Sequence, residues 1–142
     1  MKLKNNIMDK VKNSVKMALI KSIKFIPEGD YDLEINDINA GTTKDGNGYR
    51  VIVKFKVVND EKYEGFVMQT TFSLENSDKK VERLSEVLFY RMLLSSGVKE
   101  AQMNNDFDTD LLLSKVVKAH VVVEPAKGEY PEHNRVFDFY IE

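Results

Sequence analysis

The spacing of the apolar residues in this chain changes near residue 30, and that change limits the folds open to it. From Leu3 to Ile23 an apolar residue recurs at every fourth position, with lysines on the opposite face, which is the pattern of an amphipathic helix. From Tyr31 the apolar residues recur at every second position, which is typical of a half-buried strand. The sequence therefore predicts a helix over residues 3–24, ended by Pro27, and then a mainly β unit.

The alternating pattern predicts five strands in all. The first covers residues 31–36, and the hairpin loop after it contains Asp45-Gly46 and Asn47-Gly48, two dipeptides that favour tight turns. The other strands are predicted at residues 49–58, 66–73, 116–124 and 135–141.

One internal helix is predicted between the third and fourth strands. Ser77 or Asp78 can cap its start, Gly97 ends it, and a stripe of apolar residues lies between them. The predicted order is a helix followed by β-β-β-α-β-β, which is the order of a five-stranded OB-type barrel. The expected fold class is all-β with helices, consisting of a basic amphipathic helix over residues 1–26 and an OB-fold barrel domain over residues 27–142.

Composition excludes several functional classes. The chain has 142 residues, which favours one domain, and it has no cysteine, which excludes disulfides, thiolate zinc sites and cysteine nucleophiles. Its longest apolar run is four residues, whereas a membrane-spanning helix needs about 20. We expect a cytoplasmic protein with no cofactor.

The motifs that could indicate catalysis or metal binding are incomplete. Residues 41–46 resemble a phosphate-binding loop but lack its Gly-Lys-Ser/Thr ending and lead into a strand. Asp106, Asp108 and Asp110 are spaced like the start of a calcium loop. Leu111, however, occupies the position at which such a loop requires glycine. We therefore expect a binding protein and no enzyme.

Charge is distributed unevenly along the chain. Residues 1–24 contain seven lysines and one aspartate, a net charge of +6, while the remaining 118 residues carry 14 basic and 22 acidic side chains, a net charge of −8. Three hypotheses for the basic helix follow: it packs on its own domain, docks on a partner, or touches nucleic acid or a membrane surface. Because an acidic barrel repels phosphate, nucleic-acid binding would require a local basic surface.

Such a surface is predicted on the second strand, where Arg50, Lys54 and Lys56 share the outward face. In an OB barrel the ligand crosses strands two and three, between the loop that joins strands one and two and the loop that joins strands four and five. The candidate nucleic-acid-binding residues on these elements and on the neighbouring strand are Lys44, Arg50, Lys54, Lys56, Gln69, Thr71, Lys118, Lys127, Tyr130, His133 and Arg135.

Residues 26–141 also resemble a known family. The segments that carry the resemblance are Pro27-Glu28-Gly29-Asp30-Tyr31, Thr43-Lys44-Asp45-Gly46, Tyr63-Glu64-Gly65-Phe66, Glu129-Tyr130-Pro131 and Asn134-Arg135-Val136. They resemble the phage and prophage single-stranded-DNA-binding proteins long described as a domain of unknown function. The resemblance implies an OB fold and sequence-tolerant binding of single-stranded DNA, in replication or recombination of a phage or mobile element inside its host cell.

A second hypothesis is a protein-interaction or assembly module that uses an OB-like barrel without nucleic-acid affinity, since one fold can support unrelated functions. The predicted N-terminal helix is longer than one side of a small barrel, so we expect a homodimer or larger oligomer formed through it. Neither hypothesis includes a membrane partner.

Overall fold

The computed structural model describes residues 1–141. Within that range the chain forms two α-helices and one five-stranded antiparallel sheet. The helices are α1 (Ile7–Ser22) and α2 (Lys79–Ser95), and neither is long and apolar enough to cross a bilayer. The strands are β1 (Gly29–Thr42), β2 (Tyr49–Val58), β3 (Val67–Glu75), β4 (Val116–Glu124) and β5 (His133–Phe139). Short 3₁₀ turns at Glu100–Gln102 and Thr109–Leu112 lie between α2 and β4.

Strand β1 is more than twice as long as the predicted strand over residues 31–36. Its pairing with β2 shifts by one residue between Ile35 and Asp37 and then continues to the end of the strand. This bulge breaks the alternation of apolar residues, because the residues beyond it no longer follow the period of those before it. The predicted hairpin loop over residues 39–48 is correspondingly shorter, and the turn between paired Thr42 and Tyr49 covers residues 43–48.

Three other predicted segments differ at their ends. Helix α1 begins at Ile7, because Asn6 adopts a left-handed conformation with φ of 68°. Strand β3 runs from Val67 to Glu75, one residue later at its start and two at its end than predicted. The last strand begins two residues earlier than predicted and ends at Phe139.

The sheet has the strand order β3-β2-β1-β4-β5, and its two edge strands, β3 and β5, share no ladder of hydrogen bonds among the described residues. The sheet is therefore open, and the closed form of the expected barrel is not present. It is nevertheless strongly curled. The rings of Phe55 on β2 and Phe139 on β5 lie 5.9 Å apart, although a flat sheet would hold strands three positions apart at about 14 Å.

The concave face of the curled sheet holds the apolar core. Side chains from all five strands and from α2 are buried there, among them Leu33, Ile35, Phe55, Phe72, Met92, Val117, Val136 and Phe139. Helix α2 is capped at its start by Asp78, whose side chain accepts hydrogen bonds from the backbone N–H groups of Lys80 and Val81. Burying the core on one face leaves the convex face of the sheet exposed to solvent.

Helix α2 joins the two edge strands of the sheet. On the β3 side, the rings of Phe72 and Phe89 meet edge to face at 5.3 Å. On the β5 side, the Arg91 Nε donates to Asp138 at 2.6 Å and its Nη2 donates to the carbonyl oxygen of Phe139 at 3.0 Å. These contacts hold β3 and β5 on either side of one helix.

The segment before β1 is held by Asn134, a buried polar residue of β5. The Asn134 side chain accepts a hydrogen bond from the Ile26 N–H at 2.8 Å and donates to the Ile26 carbonyl oxygen at 2.9 Å and to that of Val122 at 3.3 Å. These hydrogen bonds join the segment before β1 to the last strand, β5. The sequence did not indicate this role of Asn134.

Helix α1 contacts the sheet through one side of its last turns. Ile20 is its one buried residue, and Lys16 lies 3.9 Å from Glu64 in the turn before β3. Two residues of the apolar stripe, Leu19 and Val15, lie about 100° and 140° from Ile20 around the helix. They are 61% and 52% accessible. Only the end of the stripe, at Ile23, packs against the core of its own domain, and Val11, Val15 and Leu19 remain largely exposed.

Candidate nucleic-acid interface

The convex face of β2 and β3 carries the basic residues predicted to contact nucleic acid. Arg50 and Lys54 are exposed there, and Lys56 is half-buried. The β2–β3 register places Lys54 opposite Gln69 and Arg50 next to the end of β3. We call the convex surface formed by Arg50, Lys54, Lys56, Gln69 and Thr71 the basic face.

Carboxylates on β1 lie opposite two of these cations. Lys56 is paired with Glu34, with 4.0 Å between its Nζ and the carboxylate oxygen, and Lys54 is opposite Asp37. Arg50 is opposite Gly41, which carries no side chain, and it makes no ion pair with another described residue. Arg50 is therefore the cation of the basic face that is most available to a phosphate.

The hairpin turn beside Arg50 is fixed by its own side chains. The Thr43 hydroxyl donates to Asp45 at 2.6 Å, and Asp45 also accepts from the Asn47 N–H at 3.0 Å. The bond from Thr43, and to a smaller extent the bond from Asn47, lowers the pKa of Asp45. The Asp45 carboxylate therefore stays charged in the turn. Lys44 is exposed at the tip, next to the Arg50 end of the basic face.

Five of the predicted residues border a single concavity at the open edge of the sheet. Strand β3 contributes Gln69 and Thr71 to its border, the loop before β5 contributes Tyr130, and β5 contributes His133 and Arg135. Helix α2 forms the remaining wall. Its volume is about 560 Å³. We call it the seam cleft, because it lies between the two strands that a closed barrel would pair.

Tyr130 is exposed but its backbone is fixed. The N–H of each of Lys127 and Tyr130 donates to the carbonyl oxygen of the other at 2.9 Å. Gly128 between them has φ of 60°, a conformation that residues with a side chain rarely adopt. The Tyr130 ring is 74% accessible, so an aromatic surface is available at the rim of the seam cleft.

Two predicted cations differ from the others in position or pairing. Lys118 lies on β4 opposite Asp32, so β1 separates it from the basic face. Arg135 forms an ion pair with Glu124, and this bond lowers the pKa of Glu124. The structure thus brings together the residues of β2, β3 and β5, and places Lys118 apart from them.

A second polar cluster, which the sequence did not reveal, joins β1 to β4. His120 Nδ1 lies 2.8 Å from Asp30, and the Tyr140 hydroxyl donates to the same carboxylate oxygen at 2.7 Å. The bond to Asp30 raises the pKa of His120, and the bonds from Tyr140 and then His120 lower the pKa of Asp30. The cluster depends on Asp30 and His120 being paired in register, which local sequence patterns do not show.

Substituting Asp30→Asn is expected to lower the pKa of His120. The stability that the pair contributes is fully present between the unfolded pKa of Asp30, about 4, and the unfolded pKa of His120, about 6.5. The stability that His120 contributes is lost as pH rises through its raised folded pKa, and that of Asp30 is lost as pH falls through its lowered folded pKa. NMR titration of the His120 ring in both proteins measures the change, and an unaltered pKa would show that the pair does not form.

No protein-family model matches the chain, and no curated protein matches it significantly. Among residues 1–141 no cluster of three or more metal-ligating side chains is present.

Proposed function

We propose that this chain is a partly open OB-type barrel that binds single-stranded DNA without sequence preference, in replication or recombination of a phage or mobile element. The proposed fold is supported by the element order and by the curl of the sheet, which brings Phe139 of β5 against Phe55 of β2. The phage context is supported by the family resemblance of residues 26–141.

The observation that carries the binding proposal is the composition of the basic face. Arg50 and Lys54 are exposed beside the amide of Gln69 and the hydroxyl of Thr71. The exposed Tyr130 borders the same concavity as Gln69 and Thr71. Cations that follow a backbone, next to aromatic rings on which bases stack, are what binding of single strands requires.

The electrostatics of the surface set the expected behaviour. The chain has a net charge of −2, so attraction to phosphate must come from the few cations of the basic face. Each contacted phosphate releases counterions, and three contacts to a single strand give a slope of about −2 for log affinity against log salt concentration. Binding should therefore be tight at low salt and weak at high salt.

Titration of a labelled 25-base oligo(dT), a length of about two OB sites, tests the proposal. We expect saturable binding at about 20 mM salt that weakens with a slope near −2. Binding to a duplex of equal length should be weaker, because paired bases cannot stack on the protein's aromatic rings. An affinity for the single strand that is absent at low salt, or that does not depend on salt, would contradict the proposal.

One observation favours a second candidate function, assembly of the chain with itself. The exposed stripe of α1, which includes Val11, Val15 and Leu19, borders a groove of about 580 Å³ next to the turn between β2 and β3. Residues 1–24 carry +6, and the rest of the chain carries −8. A second copy can therefore offer an acidic surface to the basic helix, with apolar contacts through the stripe.

Changing Val11, Val15 and Leu19 together to aspartate in the full chain is expected to shift the assembly toward monomer, because the stripe would become charged. Deleting residues 1–24 is expected to have the same effect. Light scattering measures the subunit number. The control is Met17→Asp, since Met17 is as exposed as Leu19, at 61%, but lies off the stripe. Equal subunit numbers in all the proteins would contradict self-assembly through α1.

A further inference from the structure

The seam cleft differs from the basic face in its chemistry. Apolar side chains of α2, namely Val81, Leu84 and Leu88, form one wall, and Tyr130 and His133 lie on the opposite side. A concavity of about 560 Å³ with apolar walls and a few polar groups is in the range of small-molecule sites.

One polar group beside the cleft is buried without a partner. Thr70 is 93% buried, and its hydroxyl has no hydrogen-bond partner among the described residues. Such an unsatisfied group is unfavourable. Thr70 lines the cleft through its other atoms, because its hydroxyl oxygen is enclosed.

His133 supplies a second group of defined character. Its Nδ1 lies 3.1 Å from the Pro131 carbonyl oxygen, and since a carbonyl oxygen only accepts, Nδ1 carries the proton. The Nε2 atom of the neutral ring is then an acceptor. Together with the Gln69 amide, the cleft offers both donors and acceptors.

We propose that the seam cleft binds one unstacked nucleobase of the strand that crosses the basic face. The base lies between the Tyr130 ring and the apolar side chains of α2, with its polar edge toward Gln69 and His133. The inference rests on the proposed function, because the strand is delivered by Arg50 and Lys54. Gln69 belongs to both surfaces, so the cleft continues the path of the strand.

The test compares two strands of 12 units, oligo(dT) and an oligomer of the same length with abasic sugars and no bases, by anisotropy at low salt. Wild-type protein is expected to bind oligo(dT) more tightly. Stacking on one aromatic ring contributes about 1–3 kcal/mol, which is about 5- to 150-fold in affinity. Tyr130→Ala removes the aromatic ring, and Leu84→Trp fills the cleft. Each variant should weaken binding of oligo(dT) by about that factor and leave binding of the abasic oligomer unchanged.

Val87→Trp is the matched control, because Val87 is exposed on the same helix but lines a different concavity. Its affinity for both strands should equal that of the wild type. If both strands bind and the two cleft variants behave like this control, the cleft proposal is wrong while the proposed function stands. If neither strand binds to wild-type protein, the proposed function fails and the cleft proposal fails with it.

Discussion

Replacing Arg50, Lys54 and Lys56 together by glutamate is expected to remove the affinity for single-stranded DNA, with a loss of at least about 100-fold at low salt. The substitution eliminates three phosphate contacts and puts three negative charges on the same surface. These would add to the carboxylates of Glu34 and Asp37 already present on β1. Anisotropy of labelled oligo(dT) measures the loss.

The control must separate position from net charge. A second triple variant with Lys62, Lys80 and Lys99 changed to glutamate alters the net charge equally but lies outside the basic face, and all three lysines are exposed. It should bind within a few-fold of wild type. Replacing the three cations of the basic face by glutamine removes the attraction without placing like charges across the β1–β2 pair. If the two glutamate variants lose affinity equally, binding is due to overall charge and the basic face has no specific role.

Phe139→Ala is expected to have the largest effect on stability. The ring is fully buried and packs on Phe55, the contact that brings β5 against β2 across the curled sheet. Truncating a buried phenylalanine lowers the free energy of unfolding by about 3–5 kcal/mol. Urea denaturation measures it, and the cost should be at the upper end, because the cavity lies where no ladder of hydrogen bonds holds the edges together.

Phe137→Ala is the natural comparison, since Phe137 lies on the same strand but on the convex face and is 59% exposed. It meets His120 edge to face, so we expect a loss of no more than about 1 kcal/mol. If the two variants are equally stable, the core does not depend on the contact across the open sheet.

Strands that the sequence located correctly have uninterrupted alternation between clear turns. The ends of β2 and β4 coincide with the predicted residues, and of the two predicted caps for α2, Ser77 and Asp78, the structure has Asp78. The outward direction of Arg50 and Lys54 follows from the same alternation. Each of these features depends on neighbours within a few residues, which is the range over which hydrophobic periodicity is informative.

The features that the sequence did not reveal depend on residues far apart in the chain. The His120–Asp30 pair joins residues 90 positions apart, and the seam cleft exists because β3 and β5 come close without pairing. The second half of β1 was missed for a local reason, because its bulge shifts the alternation. That Gln69 and Tyr130 lie in one cleft could be expected only from the topology of an OB barrel. The other polar residues of the cleft could not be expected from it.

The bonds between Asn134 and Ile26 have a consequence for the time course of folding. They link residues 108 positions apart, and the Phe55–Phe139 contact links residues 84 positions apart. At a synthesis rate of about 5–20 residues per second, β1, β2 and β3 leave the ribosome several seconds before their last core partner is made. During that interval the apolar side of the nascent meander has no β5 to cover it. The sheet is thus expected to reach its native packing only after residue 139 has emerged, and chaperones would meet its exposed core before then.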